Sequence, residues 1–473
     1  MSVPPAQLSP EGTDSSANPK WFILFRIFFN SRFYYPVYAL MFLDFGLSQE
    51  QFATLNLAWA IAIVLLEVPS GALADQIGRR PLVIGAAFLM MIEMAVMLFM
   101  PVVSRADFEG NPEAFASASA LLFTVFLFNR VISGAAEAAA SGADEALAYD
   151  SLPEEGRDIH WSKLTTKLMK MQSVAFIVVT LIGAAVYDPA FINRVLTFLG
   201  FEGSLLQKET LKIPIALTFG MSLAVLFTAL RMKETDNFVK PEKKHIFHST
   251  KDAFARTLKA GRWIAVTPAA LMLLLTGLFF DSIIRLYYTV GSIWLETIGF
   301  EPAQFGIISV AGSLAGILAA VIGEKLIHTR SPGFNFKLLG LLVFIGIFSL
   351  AFPIQFWSVA FLPTLWISMR LLHFFLSNYL NRVTDAENRA TVLSFRGLSM
   401  NLSYGILTWL YGMQTAYFRG RIDLPEDEFT DAITHQIFTS ATKSWWIYFS
   451  GVLLFLWLFR HFKTGKSWNE LLK

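Results

Sequence analysis

Seven charged or titratable side chains interrupt the apolar runs of this chain: Arg32, Arg130, Glu137, Asp281, Arg285, Arg370 and His373. A charge at the middle of a bilayer costs about 2.5–3.5 kcal/mol on insertion scales, so each should face protein or water and have a role. Asp281 and Arg285 stand four apart, on one helix face and within ion-pair reach. Two readings stand for them. In one, protonating Asp281 frees Arg285 for an anionic group or lets the helix rock; in the other, a permanent pair only neutralises Arg285. Arg32 and Arg285 are read as anchors of one anionic or amphiphilic ligand, or as partners of acids on other helices such as Glu137 and Asp281. Tyr35 and Tyr288, each after another tyrosine, supply hydroxyls and aromatic walls, or packing alone. His373 is read as a proton carrier or a packing residue. Glu93 lies in an apolar run with no local partner.

These residues need long apolar elements to hold them. The chain has 473 residues, 55% hydrophobic and 16% charged, where a soluble domain has about 25% charged residues. Its mean hydropathy is +0.52. This is the composition of a membrane protein. The absence of cysteine excludes disulfides, thiolate metal sites and cysteine nucleophiles. Walker loops, dinucleotide fingerprints and metal-ligand clusters are missing, so the chain reads as no enzyme and as needing no cofactor. The net charge of +2 gives no case for a nucleic-acid partner.

A spanning helix needs about 20 mostly apolar residues. Twelve stretches qualify: 21–43, 51–73, 81–103, 116–138, 168–187, 212–231, 264–290, 304–325, 336–357, 359–380, 393–417 and 444–462. Lys and Arg concentrate in alternate connections, around Arg79–Arg80, 157–170, 231–262 and 325–337, which places both termini in the cytoplasm. Residues 1–20 read as a polar cytoplasmic tail rather than a signal peptide, and 463–473 as a second tail. Residues 232–263 divide the chain into six-helix bundles, 21–231 and 264–462. The charged first part of this linker holds Lys240, Glu242, Lys243 and Lys244. Its second part sets Phe254, Leu258 and Trp263 against Lys251, Arg256, Lys259 and Arg262, as in a helix lying on a membrane surface. A further short interfacial helix is expected within 189–210.

The two halves repeat. Arg32, Tyr34, Tyr35, Val37, Gly46, Gln51 and Phe52 match Arg285, Tyr287, Tyr288, Val290, Gly299, Gln304 and Phe305 at one offset, 285 − 32 = 253. An offset spanning six helices makes the repeats parallel, an architecture of one large transporter class. The expected fold is an all-α membrane protein of twelve transmembrane helices in two parallel six-helix repeats.

The stretch Glu67–Arg80 names a family. Gly71, Leu73, Ala74, Asp75, Gly78, Arg79 and Arg80 follow the pattern G-x-L-A-D-x-x-G-R-R/K, and the chain resembles the major facilitator superfamily over nearly its whole length. Arg130 and Gly134 are similar to a second signature of proton-coupled members, which implies proton handling by Arg130; the alternative is a cation satisfied by backbone carbonyls. Glu67-Val-Pro-Ser-Gly and Ser141–Leu152 are similar to bacterial members grouped with drug exporters. In the family fold, spans 1, 4, 7 and 10 line the cavity, and these carry Arg26, Arg32, Arg130, Glu137, Asp281, Arg285, Arg370 and His373.

The family pattern also implies a latch. Gly71 and Gly78 would let spans 2 and 11 approach, and Asp75 would cap the start of span 11 near residues 391–394, where free N–H groups attract an anion, holding the halves together on the inner side when the cavity opens outward. Arg79 and Arg80 would pair with Asp144 or Asp150, unless those acids form only a solvated loop. Glu67 would link latch to cavity. The expected function is alternating-access secondary transport in the cell (inner) membrane by a monomer. It exports a lipophilic or amphiphilic small molecule against protons. The alternatives are an importer or facilitator of an organic anion or other solute, and a transporter-like receptor or scaffold. Spans 1, 4, 7 and 10 offer few amides for a sugar: Asn30, Asn129 and Asn378.

Overall fold

The computed structural model describes residues 15–108, 111–235, 246–385, 389–423 and 431–472. Every regular element among them is helical. The first half contains α1 (Asn18–Asn30), α2 (Tyr38–Asp44), α3 (Gln49–Ile77), α4 (Arg79–Phe99), α5 (Pro112–Ala140), α6 (Ala143–Asp150), α7 (Arg157–Tyr187), α8 (Pro189–Phe198), α9 (Gln207–Thr210) and α10 (Lys212–Arg231). A linker helix, α11 (Ile246–Val266), precedes the second half. There follow α12 (Pro268–Thr297), α13 (Pro302–Thr329), α14 (Pro332–Ala351), α15 (Leu362–Val383), α16 (Arg389–Arg419), α17 (Asp431–Thr442), α18 (Trp445–Thr464) and α19 (Trp468–Leu471).

Ten helical segments among the described residues are long and apolar enough to cross a membrane. The remaining two of the twelve spans are α1 with α2, and α16, which carries Arg396, Asn401 and Ser403 on its way through. Proline opens α5, α8, α12, α13 and α14, where its missing N–H costs nothing. Helix ends shift by a few residues from the expected spans; the seventh runs to Thr297 rather than 290.

The larger correction concerns the first span, expected as one helix over 21–43. It breaks after Asn30 and resumes through a short 3-10 turn at Tyr35–Val37. Pro36 cannot donate a backbone hydrogen bond, so a helix through it would lose one. Irregular backbone at membrane depth is tolerated only inside protein or along a cavity. Here the Phe33 N–H donates to Thr218 Oγ1 at 3.0 Å, and the Phe33 carbonyl lies against Gly183 of α7. A Cβ at Gly183 would overlap that carbonyl. Gly183→Ala should therefore destabilise the protein by about 1–3 kcal/mol or more, as overpacking against backbone does. Thermal unfolding in detergent, with Gly85→Ala as a control where a Cβ meets nothing, measures it.

The repeat persists in three dimensions. Gly46 and Gly299 both take positive φ, +107° and +98°, which permits the turn into the next helix. The Gln51 and Gln304 side chains accept the amides of Ser48 and Glu301, each at 2.9 Å. Phe52 and Phe305 are buried, as are Val37 and Val290. Tyr34 and Tyr287 point into the core, whereas Tyr35 and Tyr288 are 44% and 45% exposed.

The halves meet through α3 against α16 and α7 against α13. A Cβ on Gly412 would lie 2.6 Å from Ala53 Cβ, and one on Gly405 would lie 2.6 Å from Ala60 Cβ. Gly306 approaches Thr180 and Ala184 in the same way. Small residues let helices pack this closely in a bilayer. Polar contacts cross at the same end: Arg419 with Glu50 at 3.5 Å, Arg194 with Glu301 at 3.3 Å, and Tyr411 OH donating to Gln49 Oε1 at 2.9 Å. Toward the end that holds both termini, α3 and α16 diverge. A Cβ at Gly71 or Gly397 would meet nothing. There α11 packs against both helices through buried Ala260 and Ile264, with Gly261 against Phe395. Phe254 and Trp263 are half-buried and Leu258 is exposed. Lys240, Glu242, Lys243 and Lys244 lie outside the described residues.

Candidate functional site

Between the halves lies a cavity of about 720 Å³. Eight of the nine cavity candidates line it: Arg32, Tyr35, Arg130, Glu137, Arg285, Tyr288, Arg370 and His373. Asp281 is buried beneath Arg285 and His373 rather than in the wall. Sequence reasoning omitted several lining residues, among them Asn56, Trp59, Trp366 and Tyr404. Asn30, Asn129 and Asn378 are not among the lining residues; Asn56, from the second span, is.

Glu93 holds the first charge cluster. Its Oε1 lies 3.0 Å from Arg32 Nη1 and 2.7 Å from Arg130 Nη2. All three are almost wholly buried. Asn129 Nδ2 donates to the Glu93 carbonyl at 2.8 Å, and its Oδ1 accepts from Arg130 Nη2 at 3.2 Å. Arg32 therefore pairs with neither Glu137 nor Asp281. The Arg130 Nη atoms meet a carboxylate and side-chain oxygens rather than backbone carbonyls, while its Nε is buried without a partner. The missed signal was simple: Glu93 is the lone acid of an apolar helix whose neighbours carry two arginines.

The second cluster is in the other half. Asp281 Oδ2 lies 3.3 Å from Arg285 Nη1, and Asp281 Oδ1 lies 3.0 Å from His373 Nε2. Arg285 also donates to Asn401 Oδ1 at 3.0 and 3.1 Å, and its guanidinium lies 4.3 Å from the centre of the Tyr404 ring. Asn56 joins the two clusters. Its Oδ1 accepts from Tyr38 OH at 3.1 Å and from Tyr404 OH at 3.2 Å. Tyr38 OH in turn accepts from Arg130 Nη1 at 3.4 Å. A chain of hydrogen bonds and ion pairs, with one cation–ring contact between Arg285 and Tyr404, thus runs Glu93, Arg130, Tyr38, Asn56, Tyr404, Arg285, Asp281, His373.

The stretch Glu67–Arg80 makes its side-chain contacts within the first half; the cap by Asp75 is expected only where the cavity opens outward. Arg79 pairs with Asp150. Asp144, expected near Arg79 or Arg80, pairs instead with Arg26 through Nε at 2.5 Å and Nη2 at 3.0 Å, and Glu145 joins them. Arg26 therefore sits in this cluster rather than in the cavity wall. Arg80 Nε donates to the Met232 carbonyl at 2.7 Å, at the end of α10. All these contacts lie within the first half. Gly78 makes the turn between α3 and α4, but Gly71 faces open space. Asp75 is exposed and has no hydrogen bond or ion pair among the described residues. Asp75→Ala should therefore leave stability within about 0.5 kcal/mol, as at other exposed sites. A carboxylate at a helix N-terminus contributes about 0.3–2 kcal/mol, which would shift a two-state equilibrium by up to about 30-fold. Unimpaired flux by Asp75→Ala in proteoliposomes would remove the latch.

Two helical bundles around a polar cavity with buried charges define a multi-pass membrane transporter. The sequence profile of the Major Facilitator Superfamily matches residues 21–408, and the chain belongs to that superfamily. No curated protein sequence matches it. Among solved structures, the fold is similar to a bacterial homolog of the human lysosomal transporter Spinster, inward-facing and occupied, with 14% identity, 97% of each chain and a TM-score of 0.65. It is also similar to the nucleoside transporter NupG, with 12% identity, 93% of this chain, 99% of that one and a TM-score of 0.63. The xylose transporter XylE from E. coli matches with 14% identity, 97% of this chain, 98% of that one and a TM-score of 0.52. At these identities the likeness shows the fold alone.

Proposed function

We propose that this protein is a proton-coupled secondary transporter that exports an amphiphilic, aromatic-compatible small molecule by alternating access. The observation that carries the reading is the polar chain from Glu93 to His373, which crosses from one half to the other at Asn56 and Tyr404. The polar chain reaches the contact between the halves, so protonation of Asp281 or His373 at one end and the bundle position are linked. The cavity wall supports an amphiphilic ligand: Tyr35, Tyr288, Trp59 and Trp366 give broad ring faces beside hydroxyls and a single lining amide, Asn56. With both termini on the cytoplasmic side, the sealed end is external and the structure corresponds to an inward-open state.

The test is transport in proteoliposomes with an imposed pH gradient, using a panel of lipophilic cations, anions and zwitterions. Accumulation that follows the gradient and collapses with a protonophore is expected. Flux indifferent to pH would favour the facilitator. An anion importer instead requires Arg285→Ala to abolish binding, with proton coupling irrelevant. Absence of flux and ligand-dependent stabilisation across the panel would favour a receptor or scaffold.

A further inference from the structure

The cavity neutralises most of its own charges. Arg32 and Arg130 share Glu93, and Arg285 and His373 share Asp281. Two charged side chains in the wall are left over. Glu137 of α5 lines the cavity without a hydrogen bond or ion pair among the described residues. Arg370 of α15 is exposed to the same cavity and is likewise without either. They belong to opposite halves and have opposite signs. Each is costly to hold in a mostly apolar bundle unless water or a ligand satisfies it.

The surroundings fit two different ends of one ligand. Glu67 of α3 stands within electrostatic range of Glu137, so this wall attracts a cation. Tyr35, a neighbour of Glu137 in the wall, adds a ring face that favours a cation. The surplus positive charge of the Arg32–Glu93–Arg130 cluster is almost wholly buried, so it offers little to an anion. Across the cavity, Arg370 presents a guanidinium with a planar fork suited to a carboxylate or phosphate. Tyr288 lies beside it.

We infer that the cavity takes a zwitterion with an apolar or aromatic body, its cationic group held by Glu137 and its anionic group by Arg370. This rests on the transport reading and names its substrate class. Such a ligand contacts both halves at once. It satisfies both unpaired side chains, whereas a singly charged relative leaves one of them without a partner in the cavity.

The test uses purified full-length protein in nanodiscs and two probe series. One is L-tryptophan, tryptamine, indole-3-propionate and 3-methylindole. The other carries the same four charge states on a biphenyl frame with the groups at its two ends. In at least one series the zwitterion should bind about tenfold more tightly than either singly charged relative, a difference of about 1.4 kcal/mol. Glu137→Gln should erase its advantage over the anion, and Arg370→Gln its advantage over the cation. Thermal unfolding should stay unchanged in both variants, since neither side chain has a partner to lose. Equal or tighter binding of a singly charged or neutral member in both series overturns the inference, as does a preference that survives both substitutions or binding by no probe. Proteoliposomes that move a neutral or purely cationic solute regardless of these substitutions would overturn it and leave the transport reading standing. Absence of flux for every solute under every gradient would remove both.

Discussion

Glu93→Gln is expected to lower the stability of the folded protein by about 3–5 kcal/mol, the usual cost of removing one partner from a buried ion pair. Two guanidinium groups depend on this carboxylate, at 3.0 and 2.7 Å, and both are buried. Glutamine keeps one acceptor oxygen but supplies no charge, so two cations would face each other in a nearly dry site. Against a typical total of about 5–15 kcal/mol, such a loss is large. The measurement is thermal unfolding in detergent, with Glu93→Gln/Arg130→Gln as the companion variant. If the cluster is a counter-ion arrangement, the double variant should recover part of the loss. A single variant as stable as the wild type would show that Arg32 and Arg130 find their compensation elsewhere. Transport should also fail in Glu93→Gln, because the cluster anchors one end of the polar chain.

Asp281→Asn should reduce gradient-driven accumulation by at least about 100-fold while leaving the fold intact. Asparagine matches the size of aspartate and can still meet Arg285 and His373, now 3.3 and 3.0 Å from its carboxylate oxygens. It cannot take up a proton in the relevant range. A coupling site worth about 2.7 kcal/mol corresponds to that hundredfold effect. The expected signature is loss of uphill movement with retention of ligand binding and of exchange at equal pH. Retained pH-driven accumulation would remove Asp281 from the proton pathway. The sequence spacing alone allowed a permanent Asp281–Arg285 pair. The structure adds His373 as a second partner, on a different helix and 92 positions away.

That distance marks the boundary of what the sequence made legible. Span number, the two-half organisation, the linker helix and the family pattern all depend on local composition or on exact spacing, so they could be read directly. The matched exposure of Tyr35 and Tyr288 is a further product of the repeat. Partner choice depends on which helix faces meet. Glu93 reaches arginines 61 and 37 positions away, and Arg26 reaches Asp144 across 118. Nothing in local spacing favours Arg26 over Arg79 for Asp144. The break at 31–34 was hidden by the apolar run around it, although Pro36 was its visible cause. Asn56 went unnoticed because a lone amide in an apolar helix carries little signal until its two tyrosine partners are in place.

The close packing of α3 on α16 has a mechanical consequence. Ala53 meets Gly412 and Ala60 meets Gly405, and both pairs sum to 465 (53 + 412 and 60 + 405). Two contacts in one register resist sliding but tolerate rotation, so the helices form the arms of tongs with the pivot near Gly405. Continued along that register, Arg396 falls opposite Pro69 (465 − 396), two residues from Glu67. At 1.5 Å per residue it lies about 13 Å along the arm. Arg396 Nε and Nη1 are buried without a hydrogen-bond partner, and the Glu67 carboxylate has none among the described residues. A turn of only about 10° moves that point by roughly 2 Å over such an arm. Closing the tongs therefore brings the stretches that carry these two opposite charges nearer to each other.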